Sequence, residues 1–133
     1  MTDNTTTDLT LRFAQDIANY LSINTEYRNA SRNPERRQQL SHTRTTLFLK
    51  AEATNAELHQ HLTNLPEPTF LSRNARELIS RWDHRNRCFN DLTEARKKTH
   101  HEAPNEKIIR LTNAEKKLVE QLKAIHTIIQ KQP

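Results

Sequence analysis

Glycine is missing from all 133 residues of this chain. At ordinary usage a chain of this length would hold roughly nine. Glycine serves where the backbone must take a positive φ or let a ligand come close. Its absence removes phosphate-binding P-loops, dinucleotide fingerprints, EF-hand loops and nucleophile elbows, each of which needs glycine at fixed places. Two-residue hairpin turns lose their best residue as well. Helices are the structures least harmed.

Cysteine occurs once, which excludes an internal disulfide framework and a cysteine-based zinc finger. No apolar run approaches the roughly 18 residues of a membrane span. The start, "MTDNTTTDLTLRF", has neither the basic opening nor the apolar stretch of a secretory signal. These features point to a cytoplasmic protein, with signal-less secretion as the other route. The chain length suits a single helical domain over residues 1–133.

What is present is polar and periodic. Hydrophobic residues make up 33% and charged residues 28%. Disorder competes for so polar a chain. The regular recurrence of the apolar residues decides against it. Pro34, Pro66, Pro68 and Pro104 punctuate the sequence, and the stretches between them carry helical spacing. Four helices are predicted, at about 8–30, 34–64, 69–101 and 105–131, after a disordered tail over 1–7.

In the first helix Leu9, Phe13, Ile17, Tyr20, Asn24 and Tyr27 share a face, with Thr5, Thr6 or Thr7 as the cap. Asn33-Pro34-Glu35 opens the second: a capping side chain, a proline suited to the first turn and an acid that favours the helix start. Its stripe is Leu40, Leu47, Ala51, Thr54, Leu58, His61 or Leu62, and Leu65. The third carries Leu71, Ala75, Leu78, Trp82, Phe89, Leu92 and Ala95, with Arg85 falling between Trp82 and Phe89. The fourth repeats Leu111, Leu118 and Ile125 every seven residues, and likewise Ile108, Glu115, Leu122 and Ile129. That is a coiled-coil seam with one polar position. Thr112 and Glu115 also match a capping box, which gives this helix an alternative start. Four long helices with short links predict an all-α, antiparallel four-helix bundle, its second and third helices long enough to protrude as a hairpin.

"SRWDHRNRCFND", residues 80–91, concentrates the chemistry. His84, Cys88 and Asp91 fall at i, i+4 and i+7, a spacing that could present zinc ligands on one face. Arg81, Arg85 and Arg87 would repel the cation, so no metal and no cofactor is expected. Cys88 with His84 lacks an oxyanion hole and a cleft at mid-helix. "RNARELI" begins like the Arg-polar-x-x-x-His signature of small helical ribonucleases but lacks the histidine. The sequence therefore reads as non-enzymatic. Trp82 and Phe89 are assigned to the core, and Arg81, Asp83, His84 and Arg85 to a charged outer face, with Glu77 set to pair with Arg81.

The net charge of +5 is uneven. Residues 28–50 hold six bases and one acid; residues 73–101 hold eight bases and four acids. Arg28, Arg32, Arg36, Arg37 and Arg44 gather at the first helix junction, and Arg96, Lys97 and Lys98 precede the link between the third and fourth helices, with His100 and His101 just beyond. In an antiparallel bundle these segments would meet in one basic pole. Such a pole suits an acidic protein surface or nucleic-acid phosphates. The aromatics that single-strand binders interleave with their bases are spent in the core. Arginine outnumbers lysine 13 to 8, and arginine is enriched at protein interfaces. The expected function is a protein-binding regulator (an adaptor, inhibitor or secretion-type chaperone) that docks through the basic pole or a helix face. A phosphate-contacting nucleic-acid binder is the alternative. The seam of the fourth helix adds a candidate homodimer contact.

Overall fold

A computed structural model describes residues 4–99 and 105–131. The protein is an all-α helical bundle, with no strand among the described residues. Its helices are α1 (Asn4–Asn29), α2 (Pro34–Thr63), α3 (Phe70–Thr99) and α4 (Asn105–Gln130). Helix α1 packs on α2, and α3 packs on α4. The chain divides into two compact units, Met1–Pro68 and Thr69–Pro133.

The breaks fall where the local chemistry asks for them. Ala30 accepts from the Asn33 amide across a tight turn. Asn33 then sits in an extended conformation (φ −125°, ψ 93°), and its Oδ1 accepts the Arg36 amide at 3.1 Å. Pro34 fills the first helical position, where a missing N–H costs nothing. Helix α2 stops at Asn64, whose amide closes onto the carbonyls of its last turn, before Pro66. Asn64 keeps a right-handed conformation (φ −92°), so the helix ends without glycine. Thr69 opens α3 with a reciprocal cap. Its Oγ1 accepts the Ser72 amide at 3.0 Å, while Ser72 Oγ accepts the Thr69 amide at 2.7 Å.

Two starts differ from the sequence reading. Residues 4–7, expected in the tail, form the first turn of α1, so Thr5, Thr6 and Thr7 lie inside the helix and do not cap it. Thr6 is buried and shares a 2.7 Å hydrogen bond with His61 of α2, which ties this turn down. Residues 1–3 are outside the described residues, as are His100, His101 and Pro104. Thr112 does not start α4. It lies two turns inside, its hydroxyl donating to the Ile108 carbonyl.

The first unit is an antiparallel pair whose register can be followed by its cross-links. Thr6 meets His61, Arg12 meets Glu57, Asp16 meets Thr54, Tyr20 meets Phe48 and Asn24 meets Arg44. Each step up α1 is a step down α2. Phe13, Ile17, Tyr20, Leu40, Ala51, Leu58 and Leu62 are buried, as the stripes predict. His61 and Leu62 both face inward: Leu62 is buried and His61 bonds Thr6. Leu47 and Leu65 are half-buried.

The second unit is antiparallel too. Asn74 meets Gln121, Arg81 reaches the Lys117 carbonyl and Arg85 meets Glu115. Leu71, Ala75, Leu78, Trp82 and Leu92 of α3 are buried, as are Leu111, Leu118, Leu122 and Ile125 of α4. The middle of the α4 seam is thus used inside its own unit, while Ile108 at its start is exposed.

One assignment fails here. Arg85 belongs not to an outer face but to the core, with none of its side chain exposed. Its Nε and Nη2 donate to Glu115 Oε2 at 3.3 and 3.2 Å, and Nη1 donates to Asn86 Oδ1 at 3.1 Å. The guanidinium also lies 5.0 Å from the centre of the half-buried Phe89 ring. Pairing with an acid and further hydrogen bonding are what make a buried cation tolerable.

Candidate functional site: the basic end of the first helix pair

The arginines of residues 28–44 occupy the α1–α2 turn and the first three turns of α2. Arg28 ends α1, where a cation complements the helix dipole. Arg32 lies in the turn and Arg36 at the start of α2; all three are exposed. Arg37 and Arg44 are half-buried and stand seven residues apart, so α2 presents them on one face.

Both of these guanidiniums are drawn onto one ring. The Arg37 Cζ lies 4.4 Å from the Tyr27 ring centre, and the Arg44 Cζ lies 3.8 Å from it. Such contacts contribute roughly 0.5–1 kcal/mol each at exposed sites. Arg44 also donates from Nη1 to Asn24 Oδ1 at 3.3 Å, which fixes it against α1. Tyr27 was expected to extend the apolar stripe of α1. Its ring instead forms a platform for two cations. The seven-residue spacing of Arg37 and Arg44 puts them on one face but does not name the ring they meet.

Arg12 pairs with Glu57, Arg81 with Glu77, Arg85 with Glu115 and Arg110 with Glu106. Among the described residues, Arg32, Arg36, Arg37 and Arg44 have no carboxylate within ion-pair distance. Beside the ring lies an open cleft lined by Tyr27, Pro34, Arg37, Gln38, Ser41, His42 and Thr45. A second depression continues past Gln38 and His42 to Glu35 and Gln39. The surface is polar, basic and shaped by the stack.

The remaining predicted contacts belong to the second unit. Arg96, Lys97 and Lys98 are exposed in the last turn of α3. There, too, cations complement the helix C-terminus. Lys97 is engaged by Glu94 at 3.3 Å. These three stand on a different compact unit from the five arginines.

Residues 80–91 resolve into packing. Trp82 is fully buried, and Cys88 is buried against Leu92, Leu111 and Ala114 with Phe89 beside them. Arg81 takes the expected Glu77 at 3.0 Å. His84 Nε2 lies 3.7 Å from Cys88 Sγ. Among the described residues no group of three or more His, Cys, Asp or Glu side chains is arranged to hold a metal ion. No described helix is long and apolar enough to cross a membrane. No protein-family model, curated protein or solved structure matches this chain, so its own geometry carries the functional argument.

Proposed function

We propose that this protein is a non-enzymatic, protein-binding regulator that docks the basic end of its first helix pair onto an acidic surface of another protein. An adaptor, an inhibitor and a secretion-type chaperone all fit this description. One observation carries the reading: among the described residues Arg32, Arg36, Arg37 and Arg44 are grouped at one end with no carboxylate within ion-pair distance, whereas Arg12, Arg81, Arg85 and Arg110 each have one. Uncompensated, partly immobilised cations gather attraction for an acidic surface and speed its approach. Arginine keeps its full charge and offers a planar fork that fits carboxylates.

The test is photo-crosslinking in the native host, with a photoreactive residue at position 32 and, as a control, at position 126 on exposed His126 of α4. Position 32 is expected to give discrete protein adducts that Arg36→Glu removes. Adducts to RNA or DNA in their place would move the protein to the phosphate-binding class. Adducts at 126 alone would shift the docking surface to the other unit.

A further inference from the structure

The two stacked arginines share a feature that solubility does not require. Arg37 and Arg44 begin two helical turns apart, about 10 Å along α2. Their guanidiniums nevertheless converge on a single ring, at 4.4 and 3.8 Å from its centre. Bringing like charges together is unfavourable, and among the described residues no acid stands between them. Tyr27 and Asn24 hold the arrangement from α1. An anion completes it.

We infer that the Tyr27–Arg37–Arg44 stack, with the cleft beside it, is a receptor for Asp or Glu carboxylates of an acidic partner segment. This deepens the docking reading above and rests on it. Three observations select carboxylate over phosphate. Phosphate sites commonly draw on the free amides of a helix N-terminus. Here Pro34 brings no N–H, Asn33 Oδ1 takes the Arg36 amide and the Asn33 carbonyl takes the Arg37 amide. Glu35 adds a negative charge in the first turn of α2, against a doubly charged ligand. Finally, two guanidiniums already lie over the half-buried Tyr27 ring and would compete with a nucleobase for it. Side-chain forks remain, and these match the flat, two-oxygen geometry of a carboxylate. Gln38, Ser41 and His42 line the same cleft and supply hydrogen-bonding groups for the peptide carrying it.

The experiment follows the arginine Nε–Hε resonances of the full chain by NMR during titration with hexaglutamate at low ionic strength. The Arg37 and Arg44 signals are expected to shift together and saturate. The double variant Arg37→Lys/Arg44→Lys keeps the net charge but loses both forks, and it should bind about tenfold more weakly. Arg73→Lys/Arg87→Lys, at two exposed arginines of α3, should bind as the parent does. Circular dichroism confirms that each variant remains helical, and Tyr27→Leu, which removes the platform and keeps the apolar bulk, serves if a lysine variant unfolds. Equal affinity in the Arg37→Lys/Arg44→Lys variant would overturn the inference, since charge alone would then suffice. So would shifts confined to Arg28, Arg32 and Arg36, or tighter binding of oligothymidylate or a phosphoserine peptide of matched charge. The two failures separate: loss of protein adducts at position 32 sinks the docking reading, whereas silent Arg37 and Arg44 sink the cleft alone.

Discussion

The two helix pairs solve the same problem differently. Each has stripes too polar for an oily seam, so each must bury polar groups. In α1·α2 the buried polar side chains are one carboxylate, three hydroxyls and one amide: Asp16, Thr6, Thr10, Thr54 and Asn24. Thr54 donates to Asp16, Thr6 bonds His61, and Asn24 accepts from Arg44. Lys50 approaches Asp16 at 3.7 Å from a largely exposed position. In α3·α4 a full ion pair is buried: Arg85 is wholly covered and Glu115 nearly so. The second pair buries one arginine, Arg85, while the first gathers its exposed and half-buried arginines mostly at one end. Arginine content alone therefore does not locate a binding surface. The informative quantity is whether each guanidinium already has an acid.

The largest effect should come from Glu115→Ala. It takes the Glu115 carboxylate away from buried Arg85, and removing one partner of a buried pair costs about 3–5 kcal/mol. Urea unfolding followed by fluorescence of Trp82, the only Trp, reads the second unit. A loss below about 1 kcal/mol, the range of exposed pairs, would erase the contrast between the two interiors. The middle effect belongs to the first pair. Thr54→Val leaves buried Asp16 without its hydroxyl donor and should cost about 1–3 kcal/mol, visible as a lower urea midpoint in circular dichroism. An unchanged midpoint would show that Lys50 and solvent suffice for that carboxylate. The smallest is Asn33→Ala, which removes the α2 cap and should cost about 1 kcal/mol by the same measurement. Cost at the Glu115 level would mean that the turn organises the whole first unit.

Much of this fold could be read from spacing. Asn33-Pro34 announced a helix start because capping and proline geometry act locally. The stripes named most buried residues because period alone decides which side chains share a face. Thr6 was missed because threonine serves equally in a tail, a cap or a buried turn. Only its distant bond to His61 selects among these. The burial of Arg85 was half visible. It interrupts the stripe of α3, and Glu115 is the polar position in the seam of α4; two flaws of opposite sign in facing seams point to each other. Separately, each looked like surface. The basic end was located by charge counting, but the Tyr27 stack was not. That stack depends on how α1 sets its ring against α2, which intrahelical spacing does not contain.

Arg32 has one more consequence. It is exposed in the turn closed by Ala30 and Asn33, outside both helices. Such loop tips are where proteases cut first, and trypsin cleaves after arginine. A single nick there would leave two fragments still clasped along their length, and an occupant of the arginine cluster would slow the scissors.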